Sequence, residues 1–300
     1  MKNPVIEGNY ADLFVYRDGS DYYMVATTEK SPYFTKENGE FFEIYHSKDL
    51  QNWSEPKKII EMRNIPWSNG SWAWAPSLTK YKDHWYLATC TNSQIGIAVC
   101  DTPDGVYRDV MGESIIGVQM MGVSSIDPSL FVDEDGKAYL MWGNSALFMS
   151  EIYLSPDDVH LVGEIRNLSE IFYEQKGEVH DRYKPWVFCE GADLIKYNGR
   201  YLLSWSINDF RDPNYNIRYA WADNVWGPYV QPKDENGDNI IIKRPSGIVG
   251  TGHGNITEMN GYLYVCYHRH QYDGDGKYVG RQACINKIEI NGDILSANAT

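Results

Sequence analysis

The sequence predicts an all-β chain that folds as a five-bladed β-propeller, with residues 1–300 forming a single domain. Three observations support this: similar segments recur five times, turn residues separate them, and helical periodicity is scarce. The recurring segments are GSDYYMVATT (19–28), KDHWYLATCT (82–91), DGKAYLMWGN (135–144), NGRYLLSWSI (198–207) and NGYLYVCYHR (260–269). Aligned on a shared tyrosine they lie 53 to 63 residues apart, and a repeated unit of that size is typical of a solenoid or a propeller.

Each repeat is predicted to begin with a β-hairpin and to continue with a third strand. In the fourth repeat, Asn198 and Gly199 join the hydrophobic runs 194–197 and 201–205, and Asn-Gly between such runs is the strongest short signal for a hairpin. Third strands are expected within 41–53, 95–107 and 217–229. Antiparallel strands with turns between them favour four-stranded blades arranged around an axis.

Composition excludes several classes of partner. A net charge of −14 argues against a nucleic acid, because binding to phosphates needs clustered Lys and Arg. The longest apolar runs are of strand length, so no membrane partner is expected. The five cysteines lack metal-ligand spacing and are interpreted as small core residues. They favour a cytoplasmic location, and secretion with a signal peptide that is absent from this chain is the alternative.

One position of the repeat carries polar side chains. Counting back eleven residues from the shared tyrosine, or twelve in the third repeat, gives Asp12, Ala75, Asp127, Glu190 and His253. Each lies at the predicted start of the first strand of its unit, which is the innermost strand of a propeller blade. A carboxylate beside a turn is usually a local cap, but four polar residues at one repeat position predict a shared axial pocket.

Converging carboxylates are what glycoside hydrolysis requires. One carboxylic acid protonates the leaving oxygen and, in inverting enzymes, a carboxylate roughly 6.5 to 9.5 Å away activates a water. A third acid can raise the pKa of the proton donor by like-charge repulsion. The 42 aromatic residues exceed what a core of this size needs and include candidate sugar platforms, although most are expected to be core residues.

The chain resembles glycoside hydrolase family 43 over essentially its whole length. The segments that carry the resemblance are 3–27 (with NYADLFVY), 74–78 (WAPSL), 125–143 (SIDPSLFVDEDGKAYLMWG), 190–206 (EGADLIKYNGRYLLSWS) and 250–256 (GTGHGNI). The resemblance implies a five-bladed propeller and inverting hydrolysis of arabinose- or xylose-containing glycans. It assigns Asp12 as the base, Asp127 as the pKa modulator and Glu190 as the acid. Leu13 departs from the proline common in the family.

Three further residues are candidates for substrate binding. His253 resembles the family's axial histidine, which implies either a structural calcium ion nearby or a buried water, with no cofactor needed for the chemistry. Trp74 is either a sugar platform or a core indole. Arg281 resembles a family arginine that reaches the pocket, and a surface salt bridge is the alternative.

The substrate is expected to be an arabinose- or xylose-containing oligosaccharide or polysaccharide. The chain ends about 36 residues after Tyr264, so the C-terminal β-sandwich of many family β-xylosidases is not expected. This favours an α-L-arabinofuranosidase over a β-xylosidase or an endo- or exo-arabinanase. Segments 31–40 and 183–188 are expected at the rim of the pocket. A non-catalytic glycan-binding propeller is the alternative from another class, and a phosphorolytic enzyme is disfavoured by the acidic composition.

Overall fold

The computed structural model describes residues 1–28, 39–120, 123–169 and 189–300. Of the expected rim segments, residues 31–38 and 183–188 lie outside the described residues. Within the described ranges the chain is built from β-strands, with one 3₁₀ turn at Met62–Asn64. No helix among these residues is long and apolar enough to cross a membrane.

The fold is a five-bladed β-propeller, as the sequence predicts. Blade one contains β1 (Tyr10–Asp18), β2 (Asp21–Thr28), β3 (Phe41–Ser47) and β4 (Lys57–Glu61). Blade two contains β5 (Ala73–Tyr81), β6 (His84–Thr91), β7 (Gln94–Cys100) and β8 (Arg108–Asp109). A short antiparallel pair follows, made of β9 (Gln119–Met120) and β10 (Val123–Ser124). Blade three contains β11 (Ser129–Val132), β12 (Ala138–Trp142), β13 (Phe148–Leu154) and β14 (Val159–Asn167).

The last two blades have three strands each in their main sheets. Blade four contains β15 (Cys189–Tyr197), β16 (Arg200–Ile207) and β17 (Asn216–Ala222). Blade five contains β19 (Ile256–Met259), β20 (Tyr262–Tyr272) and β21 (Tyr278–Lys287). A smaller sheet is formed by β18 (Ile242–Lys243), β22 (Glu289–Asn291) and β23 (Ile294–Asn298).

The first strands of the five blades form a closed inner ring. β1 contacts β5, β5 contacts β11, β11 contacts β15, β15 contacts β19, and β19 returns to β1. Side chains at equivalent positions of these strands therefore face one axis. This arrangement is the reason that residues far apart in sequence can share one pocket.

The hydrophobic core is divided into layers between neighbouring blades. The buried apolar residues form clusters between blades one and two, two and three, three and four, four and five, and five and one. Four of the cysteines are buried and all five are free thiols, which agrees with their interpretation as core residues. The alternating, β-branched and aromatic character of the strands suits this packing, because each sheet buries both faces.

The hairpin at Asn198 and Gly199 is confirmed. Tyr197 pairs with Arg200, and the two residues between them have φ values of 50° and 78°. Positive φ at both central positions defines the tight turn that matches the twist of a hairpin, and Asn-Gly adopts it at low cost.

Candidate active site

A backbone irregularity at the start of the inner strands turns side chains toward the axis. In β1 the pairing register shifts between Ala11 and Phe14, and Asp12 lies within the shift with a φ of 54°. Asp127 and His253 precede their strands by a few residues and also have positive φ, at 57° and 40°. Non-glycine residues rarely adopt this conformation, and such bulges commonly redirect side chains beside functional sites.

The repeat alignment is wrong by one residue in blade four. The register shift of β15 falls between Glu190 and Asp193, and the residue with positive φ is Gly191, at 61°. Gly191 therefore occupies the position of Asp12, and Glu190 lies one residue earlier, at an ordinary strand position paired with Ser206. The miscount arises because Tyr201 is the second residue of its strand, whereas Tyr23 is the third.

Gly191 has no room for a side chain. A Cβ added there would lie 2.8 Å from Cδ2 of His253, so the glycine allows the imidazole to reach the axis. Glu190 enters the same pocket from the neighbouring backbone position. Polar atoms of Asp127, Glu190 and His253 all lie within 4.8 Å of one another.

Asp12 is surrounded by basic groups. Its Oδ1 lies 3.1 Å from Nη1 of Arg281, 3.3 Å from Nδ1 of His253 and 3.4 Å from Nδ1 of His268. Burial by itself would raise the pKa of this carboxyl, but Arg281, followed by His253, lowers the pKa well below its ordinary value. Asp12 is therefore ionised across the physiological pH range.

His268 was not found by sequence reasoning. The backbone N–H of Asp12 donates to its Nδ1 over 3.2 Å, and burial, followed by Arg281, lowers the pKa of the imidazole to about 3. It is thus a neutral ring that fixes the backbone of Asp12. Its sequence signal is weak, because it comes from the second strand of blade five and not from the repeated position.

Glu190 has two hydrogen-bond donors that the sequence also did not reveal. The hydroxyl of Tyr215 donates to Oε1 over 2.7 Å, and Nδ2 of Asn144 donates to Oε2 over 2.6 Å. Burial raises the pKa of Glu190, Asp12 raises it further, and His253 with the two hydrogen bonds acts in the opposite direction. The net direction is upward, which favours the protonated acid near neutral pH.

Asp127 completes a coupled pair with Glu190. Burial raises the pKa of Asp127 most strongly, and the charges of Glu190 and Asp12 raise it further, while a backbone hydrogen bond from Gly191 lowers it. Its Oδ2 is 3.9 Å from Nδ1 of His253. Because two buried carboxylates so close together resist simultaneous ionisation, the pair retains a proton at pH values where an ordinary carboxyl has lost it.

Arg281 and Trp74 both have defined places near this cluster. Arg281 is buried, contacts Asp12, and lies over the ring of Phe210 at 4.7 Å from its centroid, so it belongs to the pocket and not to a surface salt bridge. Trp74 is half-buried and packs edge-on against Trp72, with ring centroids 5.7 Å apart. It occupies the strand position in blade two that Glu190 occupies in blade four.

The protein donors at the axis supply only part of a calcium coordination shell. Calcium takes about six to eight oxygen ligands, water among them, whereas the trio Asp127, Glu190 and His253 offers two carboxyl groups and an imidazole nitrogen. Both oxygens of Glu190 already accept hydrogen bonds. The calcium ion expected near His253 therefore enters no step of the mechanism derived below.

Comparisons with known proteins agree with this geometry. The family model described as Glycosyl hydrolases family 43 matches residues 1–294. A β-D-galactofuranosidase of Aspergillus niger is 28% identical, over 99% of this chain and 85% of that protein. An arabinoxylan arabinofuranohydrolase of Bacillus subtilis is 26% identical, over 94% of this chain and 58% of that protein. The crystal structure of a thermostable family-43 glycoside hydrolase shares the fold, with a TM-score of 0.77, 24% identity, and coverage of 99% of this chain and 96% of the other.

Proposed function

The chain belongs to family 43 of the glycosyl hydrolases, and on that premise we propose that it is an inverting α-L-arabinofuranosidase. The observation that carries the proposal is the division of charge among three buried carboxyl groups. Asp12 is held ionised by Arg281, whereas burial raises the pKa values of Asp127 and Glu190. Carboxyl groups whose pKa values are pushed apart are the arrangement that acid and base catalysis of glycoside cleavage requires.

In the proposed mechanism Asp12 is the general base. Its carboxylate accepts a proton from a water molecule while the water oxygen forms a bond to the anomeric carbon. Arg281 keeps Asp12 ionised, and His268 fixes its backbone. Attack from the face opposite to the leaving group gives a product with inverted anomeric configuration.

Glu190 is the proposed general acid. It donates its proton to the glycosidic oxygen as the bond from that oxygen to the anomeric carbon breaks, and it is left as a carboxylate. Asp127 is the proposed modulator, because the two coupled, buried carboxyl groups resist simultaneous ionisation and a charge on one raises the pKa of the other. Glu190 regains a proton from solvent and Asp12 releases one, so each cycle consumes one water and leaves the enzyme unchanged. Protein groups supply all of this chemistry without a cofactor.

Two of the relatives support the preference for a furanoside, whereas the names of others describe β-xylosidases. The names of the first two describe action on a galactofuranoside and on the arabinofuranosyl groups of arabinoxylan. β-D-Galactofuranose has the ring configuration of α-L-arabinofuranose and carries one further exocyclic carbon, so one pocket shape suits both rings. We therefore place arabinose-bearing oligosaccharides or polysaccharides first as substrates, and a cytoplasmic location would suit the shorter oligosaccharides.

A panel of substrates tests the proposal. Wild-type enzyme is incubated with 4-nitrophenyl α-L-arabinofuranoside, β-D-galactofuranoside and β-D-xylopyranoside, and with linear arabinan, each with and without phosphate. Proton NMR of the first product reports its anomeric configuration. The expected result is highest kcat/KM on the arabinofuranoside, an inverted product and no phosphate requirement.

Other outcomes identify the competing functions. Preference for the xylopyranoside indicates a β-xylosidase, and oligosaccharides released from arabinan indicate an arabinanase. A sugar phosphate product indicates phosphorolysis. Retention of a glycan in affinity electrophoresis without release of sugar from any substrate indicates a non-catalytic binding propeller.

A further inference from the structure

Both oxygens of the Glu190 carboxyl group are engaged by neutral donors. Tyr215 donates to Oε1 over 2.7 Å and Asn144 donates to Oε2 over 2.6 Å. The two donors come from turns on different blades, Asn144 from the connection between β12 and β13 and Tyr215 from the residue before β17. The carboxyl plane of Glu190 is therefore fixed from two sides.

The amide of Asn144 is held in one orientation. Ser145 Oγ donates to Asn144 Oδ1 over 3.1 Å, which leaves Nδ2 facing Glu190. The backbone N–H of Ser145 donates to the carbonyl of Cys189 over 2.9 Å, so this turn is tied to the residue that precedes Glu190. Asn144 can only donate at this contact, because its acceptor atom is turned away.

The ring of Tyr215 is held between the two halves of the site. It stacks on His268, with ring centroids 5.5 Å apart and planes inclined by 15°. Gly252 lies against its edge, and a Cβ there would be 2.2 Å from Cδ1 of Tyr215. Because His268 also accepts the backbone N–H of Asp12, one stack of two rings connects the proposed base to the proposed acid.

We propose that Tyr215, assisted by Asn144, is a positioning residue for the proton transfer from Glu190. The proposal rests on the proposed function, in which Glu190 is the acid. A hydrogen bond to an ionised acceptor is stronger than one to a neutral acceptor. Both donors therefore stabilise the carboxylate that forms as the proton leaves, and they stabilise the transition state more than the ground state.

The same contacts assign the transferable proton to one oxygen. Asn144 keeps Oε2 as an acceptor, whereas the hydroxyl of Tyr215 can donate or accept. The proton is thus carried on Oε1, and Tyr215 adjusts to its presence or departure. Burial keeps the pKa of Tyr215 well above its ordinary value, so the phenol stays protonated and available as a donor.

The direction of the pH effect follows from the groups that face Glu190. Asp12 opposes its ionisation, and coupling to Asp127 resists ionisation of both groups at once, whereas His253 and the donors Tyr215 and Asn144 favour it. Removing the hydroxyl of Tyr215 raises the pKa of Glu190 and moves the basic limb of the pH profile to higher pH. Asp127→Asn removes a negative charge and moves the limb to lower pH.

The test compares Tyr215→Phe with wild type on aryl α-L-arabinofuranosides of poor and activated leaving groups. We expect kcat on the poor leaving group to fall about tenfold or more, as for loss of a hydrogen bond to a charged group. The fall should be smaller on a dinitrophenyl glycoside, KM should change little, and the basic limb should move upward.

Tyr267→Phe is the matched control. Tyr267 and Tyr215 are both 0% exposed, and the Tyr267 hydroxyl donates to Asn286 Oδ1 over 2.8 Å, away from the carboxyl cluster. Loss of the Tyr267 hydroxyl should lower stability without moving the basic limb of the pH profile. Asn144→Ala is the second test variant, used also if Tyr215→Phe fails to fold, and it should move the limb in the same direction.

The outcomes separate the positioning role from the proposed function. If wild type releases no sugar or gives a retained product, the proposed function fails and the positioning role fails with it. If wild type inverts and Glu190→Ala discriminates between leaving groups, but neither Tyr215→Phe nor Asn144→Ala moves the basic limb upward, the positioning role alone is overturned.

Discussion

Asp12 carries a negative charge beside a buried, positively charged side chain. Its replacement therefore tests its role in catalysis and its contribution to stability. Asp12→Asn removes the proposed base, which every substrate needs, so kcat should fall by about 10² to 10⁴ on poor and activated leaving groups alike. It also removes the buried ion pair between Asp12 and Arg281, and breaking a buried pair typically costs about 3 to 5 kcal/mol of stability. Kinetics on both substrates and urea unfolding measure the two effects.

The control for Asp12 is an exposed aspartate. Asp157, whose side chain is 91% exposed, contacts Arg108 over 3.3 Å, and exposed pairs contribute at most about 1 kcal/mol. Asp157→Asn should match wild type in both measurements. Near-normal turnover by Asp12→Asn would remove this residue from the mechanism.

Glu190 should show the opposite dependence on the leaving group. Glu190→Ala should severely slow cleavage of an oligosaccharide, whose sugar leaving group needs a proton in the transition state. A dinitrophenolate leaves without one, so the loss on a dinitrophenyl glycoside should be much smaller and the basic pH limb should disappear. The measurement is the ratio of variant to wild-type kcat/KM on the two substrates. Equal losses on both, accompanied by lower thermal stability, would make Glu190 a structural residue.

At the scale of the strand, the repeat predicted the inner strands but not their irregularities. The segments beginning at Asp12 and Asp127 were placed at the axis from spacing alone, and the Asn198–Gly199 turn from residue type. The bulge was not visible, because it depends on which backbone pairs are skipped, and Glu190 was assigned one position too late in the repeat. Tyr215 and His268 were missed because they reach the site from outside the repeated position, Tyr215 from the turn before β17 and His268 from β20 across the junction of blades five and one.

Asp193 in β15 gives a prediction for the inner strands. It lines a cavity of about 200 Å³ on the axis, accepts a hydrogen bond from Ser129 Oγ over 2.8 Å, and burial raises its pKa from 3.8 to about 7. Because the folded state binds this proton more tightly, the contribution to stability is fully present below pH 3.8 and is lost as pH rises through about 7. The free energy of unfolding of Asp193→Asn, taken relative to wild type, should therefore be higher at pH 8 than at pH 5.

Asp133 supplies a control of opposite sign. Burial would raise its pKa, but the Tyr201 hydroxyl, the backbone N–H of Glu134 and Lys196 lower it below 3.8, so its contribution is present above that pH and is lost in acid. Asp133→Asn should be most destabilising at neutral pH. Urea unfolding of both variants and wild type from about pH 2 to 8 measures the differences, and parallel curves for Asp193→Asn and wild type would contradict the assigned pKa.

At the scale of the whole molecule, two side-chain amides help to close the ring. Each bonds the backbone N–H and carbonyl of one strand residue, as a neighbouring strand would. Asn3 accepts from the backbone N–H of Ile285 over 2.9 Å and donates to its carbonyl over 3.2 Å. Asn255 does the same with Val15, accepting from its N–H over 2.9 Å and donating to its carbonyl over 3.0 Å. Both contacts join blade five to the first blade or to the segment before it.

Asn255 makes a stronger contact between β1 and blade five than the Arg17–Glu258 ion pair does. The Arg17–Glu258 ion pair is more than one third exposed on both sides and contributes little, whereas Asn255 and Val15 are buried. Asn255→Ala leaves both backbone groups of Val15 without these partners, which should lower the free energy of unfolding by about 2 to 4 kcal/mol.

The same change should reach the active site, because Val15 lies three residues after Asp12 on the inner strand. We expect Asn255→Ala to lose kcat at temperatures where it is fully folded, since Asp12 must stay aligned with groups from blade five such as His253 and Arg281.

Asn239→Ala is the control: Asn239 is equally buried and bonds the Tyr219 carbonyl and Gln231 within one blade. It should lose stability but keep wild-type kcat. Urea unfolding and kinetics at a common temperature measure both variants, and full activity in folded Asn255→Ala would show that the alignment of Asp12 does not depend on this closure.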